Sequence, residues 1–127
     1  MKLLLDTSIL IDVLRHRNRR REFLAELVRG GHTLATTTLN VAEIYAGMRP
    51  AEEGRTEALL NGLELYELSG TSARLAGRLK GAWARKGHTF TLADTIVAAI
   101  AIERGCALLT DNRKDFPMPE VQLYLVP

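Results

Sequence analysis

A single cysteine, Cys106, leaves the chain no internal disulfide, and its apolar neighbours Ala107, Leu108 and Leu109 mark it as a small buried residue without a catalytic role. No apolar run approaches the ~20 residues of a membrane span. The N-terminal run Leu3 to Leu5 is far too short for a secretory signal and is interrupted by Asp6, so a cytoplasmic protein with no membrane partner is expected. The only histidines, His16, His32 and His88, show neither metal-ligand spacing nor a nucleophile partner, which argues against a serine hydrolase. No strand end carries a phosphate-binding glycine loop or a dinucleotide fingerprint. Dehalogenase-type phosphatases carry a second aspartate two residues after the first, where this chain has Ser8.

What is present suits a compact α/β protein. At 127 residues, 46% hydrophobic and 25% charged, the chain has the length of one ordinary domain and the composition of a soluble globular one, so a single domain over residues 1–127 is expected. Leu3 to Leu5 reads as a strand that ends at Asp6, and helical spacing begins within two residues. Glu22 to Arg29 fits a helix stopped by Gly30 and Gly31. His32 to Thr37, rich in β-branched residues, fits a second strand. Helices are expected over Asn40 to Met48 and Arg55 to Leu63, with a third strand over Leu65 to Leu68. Ser72 to Lys86 and Thr91 to Arg104 read as longer helices, the second apolar nearly all round and so deeply buried. Ala107 to Thr110 is the expected fourth strand, Asp111 to Asp115 a polar turn, and Gln122 to Val126 the last strand. Trp83 reads as core or subunit contact rather than a base-stacking platform. Alternating strands and helices imply an α/β domain with a mainly parallel sheet.

The acids have an order of their own. Asp6 follows the first strand, Glu43 lies early in the helix after the second, Asp94 opens the helix before the fourth, and Asp111 and Asp115 follow the fourth. In a parallel α/β domain those positions share one edge of the sheet, where ligands bind. Each acid also has a purely structural reading. Asp6 or Thr7 can cap the first helix, Asn40 with Glu43 and Thr91 with Asp94 have capping-box spacing, and Asp111 and Asp115 suit a turn. As a set they point elsewhere, because converging carboxylates raise one another's pKa unless a cation neutralises them. Oxygen ligands without nearby His or Cys favour Mg2+ or Mn2+ over zinc. Such an ion can activate a water and stabilise charge on a scissile phosphate.

Arg15, His16, Arg17, Arg19, Arg20 and Arg21 form a dense basic cluster within a net charge of only +2. The cluster is expected either to grip a phosphate backbone or to pair with an acidic protein segment.

Four segments carry a resemblance: Leu-Leu-Asp-Thr-Ser-Ile-Leu-Ile-Asp at the start, Asn-Val-Ala-Glu-Ile-Tyr-Ala-Gly around Glu43, Leu-Ala-Asp-Thr-Ile-Val-Ala-Ala around Asp94, and Leu-Leu-Thr-Asp-Asn-Arg-Lys-Asp-Phe near the end. In order, spacing and length they resemble the PIN domain, and within it the VapC toxins of VapBC toxin-antitoxin pairs. The resemblance implies a three-layer α/β/α fold and a divalent-metal-dependent endoribonuclease that leaves a 5'-phosphate and a 3'-hydroxyl. It also implies a homodimer, inhibition by a VapB-type antitoxin that inserts a segment into the active-site groove, and contact with DNA only through that antitoxin. Asp6, Glu43 and Asp94 match the family's acids, with Asp6 and Asp94 as direct metal ligands. Thr7 or Ser8 and Thr110 match supporting hydroxyls. The family's Thr-x-Asn-x-x-Asp-Phe pattern places Asn112 and Asp115 on the motif and Asp111 in its variable position, so Asp115 or Asp111 supplies the fourth acid, with Asp115 preferred. Two other functions fit the residues less well. A ribonuclease H-like nuclease expects antiparallel strands after the first, and an inactive binding module has no need to retain Asp6, Glu43 and Asp94 together.

Overall fold

The structure, a computed structural model, describes all of residues 1–127. The first strand, β1 (Lys2–Leu5), is buried on both faces, and its residues alternate between two cores. Leu3 and Leu5 point into a layer formed with Ile9, Leu10, Val13, Leu24, Leu27 and Ile44. Leu4 points the other way, toward Leu79, Phe90, Val97, Ile100 and Phe116. β4 (Ala107–Leu109) repeats the pattern, with Ala107 and Leu109 on the first side and Leu108 on the second. A strand packed on both faces has no polar side to show, which is why these segments are uninterrupted apolar runs in the sequence.

Between them come α1 (Thr7–Leu14), α2 (Arg20–Arg29), β2 (Thr33–Thr37), α3 (Thr38–Gly47), α4 (Glu53–Asn61), β3 (Glu64–Tyr66), α5 (Gly70–Ala84) and α6 (Leu92–Arg104). β5 (Gln122–Leu123) follows β4. The strands lie in the order β3-β2-β1-β4-β5, and all four pairings are parallel. An all-parallel sheet removes the ribonuclease H-like alternative. Helices cover both faces, α1, α2 and α3 contributing to the first core and α5 and α6 to the second. The result is the expected three-layer α/β/α arrangement.

From β1 the chain moves outward through β2 and β3, then returns to place β4 on the other side of β1. The crevice between the carboxyl ends of β1 and β4 is therefore the topological switch point, where ligands bind in open α/β sheets. No helix of the molecule is long and apolar enough to cross a membrane.

The elements depart from the sequence expectation mainly at the sheet edges. β3 ends at Tyr66 rather than Leu68, leaving Leu65 and Leu68 exposed while Ser69 caps α5. β5 stops at Leu123 because its only neighbour, β4, is three residues long, although Tyr124 N still donates to Leu108 O (2.9 Å). Gly105 ends α6 at φ +64, a left-handed conformation that glycine adopts freely. Cys106 is buried. Trp83 is half-buried against the second core and packs edge-on to His88, with ring centroids 5.6 Å apart.

Candidate active site

Asp6 is the first residue beyond β1 and the N-cap of α1, and it is only 8% exposed. A buried carboxylate needs hydrogen-bond donors. Asp6 has three, all neutral: Thr7 N (2.9 Å) and Asn40 Nδ2 (3.3 Å) donate to Oδ1, and Thr110 Oγ1 (2.7 Å) donates to Oδ2. The Thr110 bond spans the switch-point crevice, since Thr110 directly follows β4.

Asn40 ties the next acid to this centre. Its Nδ2 also approaches Thr7 Oγ1 (2.9 Å) and Glu43 Oε1 (3.4 Å), while Thr7 Oγ1 donates to the same Glu43 oxygen (2.8 Å). The amide is oriented from below, where Thr37 Oγ1 donates to Asn40 Oδ1 (2.7 Å). Asn40 with Glu43 is thus no capping box. Thr37 is the N-cap of α3, receiving Asn40 N (3.1 Å), and Asn40 turns its side chain into the pocket. Asn40 is fully buried. Its role escaped the sequence because capping and site-building share one spacing, although the extra threonine at position 37 offered a better cap.

Asp94 sits in the first turn of α6, whose N-cap Thr91 accepts Asp94 N (3.1 Å). Burial pushes the Asp94 carboxyl above its usual range. The Thr91 hydroxyl opposes that rise, and the charges of Asp115, Asp6 and Glu43 add to it. Acids from three other segments therefore act on Asp94. None of them forms an ion pair with a basic side chain, since the ion pairs present are Arg20 with Asp12 and Asp111, and Arg55 with Glu52.

Asp111 stands apart. Its Oδ1 accepts Arg20 Nη2 at 2.6 Å, and its backbone N–H donates to Ser8 Oγ (3.3 Å). The Asp111 charge is neutralised, whereas Asp115, half-buried in a 3-10 turn at Arg113–Asp115, is among the acids raising Asp94. Asn112 contributes its backbone N–H to Thr110 Oγ1 (3.0 Å). Of the two supporting hydroxyls expected near Asp6, Thr7 binds the acids and Ser8 serves the turn after β4.

The basic cluster divides as well. Arg15, Arg17, Arg19 and Arg21 are exposed. Arg20, expected to join them as a phosphate or antitoxin contact, is instead 4% exposed, with Nε on Asp12 Oδ2 (3.3 Å) and Nη2 on Asp111. It shares a helix face with buried Leu24 and Leu27, a spacing visible within the arginine run. The loop before it holds three non-glycine residues at positive φ, His16, Asn18 and Arg19, each costing about 1 kcal/mol. Asn18 Nδ2 donating to Asp12 Oδ2 (2.8 Å) offsets part of that cost. Arg15 shares a recess of about 120 Å³ with Glu43, so an exposed cation borders the acids without pairing to them.

No three His, Cys, Asp or Glu side chains stand close enough to enclose an ion by themselves. That suits a magnesium-type site, in which one or two carboxylates and several waters complete the coordination. The donor set fits too: all oxygen, anionic, and held by neutral groups that leave the charge in place.

A PIN domain family model matches residues 3–119. The chain belongs to the PIN domain family. Over 120 residues this PIN domain is 33% identical to Ribonuclease VapC19 of Mycobacterium tuberculosis, covering 94% of this chain and 96% of that one. Ribonuclease VapC10 of the same organism is 31% identical over 118 residues, covering 93% and 88%. Among solved structures, VapBC2 from Rickettsia felis bound to a promoter DNA fragment superposes with a TM-score of 0.87 at 24% identity, covering 98% of both chains. That likeness is one of fold.

Proposed function

We propose that this PIN domain is the toxin of a toxin-antitoxin pair and acts as a divalent-metal-dependent endoribonuclease. One observation carries the reading: four acids, Asp6, Glu43, Asp94 and Asp115, act around one pocket with no cationic side chain paired to any of them, in a chain about one-third identical to proteins named ribonucleases. The exposed arginines flanking the pocket supply what a polyanionic substrate needs.

Each side chain has a definable task. Asp6, clamped by Thr7, Asn40 and Thr110, and Asp94, in the first turn of α6, would hold Mg2+ or Mn2+ as its direct ligands. When bound, such a cation acidifies an attacking water and stabilises negative charge on the phosphoryl oxygens. Glu43 has one oxygen held by Thr7 and the other open to solvent-side groups, so it orients the nucleophilic water and takes up its proton. Asp115, whose charge acts on Asp94, is the fourth acid. Asp111, neutralised by Arg20, is not. In-line attack of the water oxygen on phosphorus breaks the P–O3' bond, and the departing 3'-oxygen takes a proton from solvent, leaving a 5'-phosphate and a 3'-hydroxyl.

Solved structures of similar fold include VapBC complexes, and a VapB-type antitoxin is the partner proposed here. An apolar groove of about 400 Å³ between α2 and α4, lined by Leu24, Val28, Leu59 and Leu63 and edged by Arg21 and Arg55, suits an apolar segment with acidic flanks.

Purified protein incubated with total RNA and Mg2+ or Mn2+ should give discrete fragments that EDTA abolishes. Intact RNA under all conditions would turn the reading toward a binding module. Neutralising Arg15, Arg17, Arg19 and Arg21 to glutamine should weaken RNA binding at low salt and flatten the log-log salt dependence by up to about 0.7 per lost single-strand phosphate contact. If only antitoxin affinity falls, the arginines serve the antitoxin instead.

A further inference from the structure

Arg20 raises a question that fold stability does not answer. Its guanidinium is buried, with Nε on Asp12 of α1 and Nη2 on Asp111 in the turn after β4, while Nη1 has no partner at all. Apolar side chains of similar volume commonly replace buried ion pairs at no loss of stability, so a bridge with an unsatisfied N–H is poorly explained as a stabilising device. Its geometry offers a better account. The turn after β4 delivers Thr110 to Asp6 and Asp115 to the acid pocket, and it is fixed to α1 by two polar contacts on Asp111. One is the weak bond from Asp111 N to Ser8 Oγ at 3.3 Å, and the other is the short charge-assisted bond from Arg20 at 2.6 Å. Asp12 anchors the far end of the guanidinium and is itself held by Asn18.

We infer that Arg20 is a positioning residue: it clamps the Thr110–Asp115 turn against α1 and so sets where Thr110 and Asp115 meet Asp6 and Asp94. Its significance for catalysis rests on the ribonuclease reading above, whereas the clamp can be measured without it. Asp12 and Asn18 fix the clamp to the loop that carries Arg17 and Arg19. The same bridge therefore couples that loop to the acid pocket.

Amide hydrogen exchange on the metal-free protein reads the clamp directly. In Arg20→Met, and in Asp111→Ala, which alters an exposed side chain and should leave the fold intact, exchange over residues 110–116 should rise at least tenfold above that of the sheet. Cleavage should fall about 10- to 100-fold in kcat, as for other residues that orient metal-site ligands, with KM little changed. Arg20→Lys should recover part of kcat. The double variant should be no worse than the more severe single one, because both remove one contact. Exchange over 110–116 that matches wild type in both variants overturns the inference whether or not the protein cuts RNA. An exchange increase spread evenly over the whole chain, with KM rising alongside a fall in kcat, also overturns it. Local loosening in the variants, together with a wild type that never cuts RNA, supports the clamp and counts against the ribonuclease reading instead.

Discussion

Asp94→Asn is expected to lower RNA cleavage about a thousandfold and, in the metal-free protein, to make the fold more stable at neutral pH. On the function proposed above, Asp94 would be a direct ligand of a cation that contributes several kcal/mol of charge stabilisation in the transition state. At about 1.4 kcal/mol per tenfold, that is a fall on the order of a thousandfold. The gain in stability has a separate cause. Burial and the charges of Asp115, Asp6 and Glu43 raise the Asp94 carboxyl above the ordinary value of an exposed aspartate, about 3.8, with only the Thr91 hydroxyl opposing. The folded protein therefore binds a proton that the unfolded chain has already released, and stability falls as pH rises through that window. The cost of ionised Asp94 is absent below pH 3.8 and fully present above its raised folded value. Asparagine never pays it. Urea midpoints of EDTA-treated wild type and variant should converge in acid and separate in favour of the variant toward neutrality. A divalent ion at a hundredfold excess over its Kd should stabilise the wild type by about 2.7 kcal/mol and the variant by much less. A variant less stable than wild type at neutral pH would mean that the acids do not repel one another.

This chain treats the acids near the pocket in two different ways. Asp111 receives a guanidinium at 2.6 Å, and its charge is answered within the protein. Asp6 receives a backbone N–H, an amide and a hydroxyl, which satisfy its lone pairs and leave the charge unanswered. Neutral donors orient a carboxylate while leaving its charge free for a cation, as the proposed function requires. An arginine at position 40 or 110 would have made Asp6 a structural ion pair.

The same contrast marks what was legible in the sequence. β1 and β4 announce themselves because strands buried on both faces must be continuous apolar runs. The convergence of the acids followed from parallel topology, which needs only the alternation of elements. β3 and β5 were placed too long because each has only one neighbouring strand, so pairing rather than propensity sets where it stops. The bridge from Arg20 to Asp111 spans residues 91 apart, a distance over which local pattern carries no information. Even so, Arg20 with Leu24 and Leu27 on one face of α2, and Asp12 among the buried Ile9, Leu10 and Val13 of α1, were signals that two charges were heading inward toward each other. Asn40 was hidden by ambiguity rather than distance, since an asparagine three residues before a glutamate reads as a helix start. Only the cap actually used, Thr37, frees it for the site.

Asn40→Asp tests that assignment with almost no change in shape. Asn40 is fully buried, its Nδ2 within reach of Asp6 Oδ1, Thr7 Oγ1 and Glu43 Oε1. Replacing the amide nitrogen by oxygen removes the donor and sets a third negative charge against two carboxylates in a dry position. An uncompensated buried charge costs about 3–5 kcal/mol, a third or more of a typical domain's stability of about 5–15 kcal/mol. The introduced carboxyl escapes part of that cost by staying protonated, so its folded pKa lies above its unfolded value of about 3.9. The deficit is then full above the folded pKa and vanishes below the unfolded one, and stability recovers as the solution is acidified. Asn40→Ala also loses the donor and leaves a small cavity, but adds no charge, so its deficit should change little with pH. Chemical denaturation of the three proteins in acid and at neutrality separates the cases. If the Asn40→Asp deficit is as flat with pH as that of Asn40→Ala, Asn40 serves packing alone, and the orientation of Asp6 and Glu43 must come from Thr7 and Thr110.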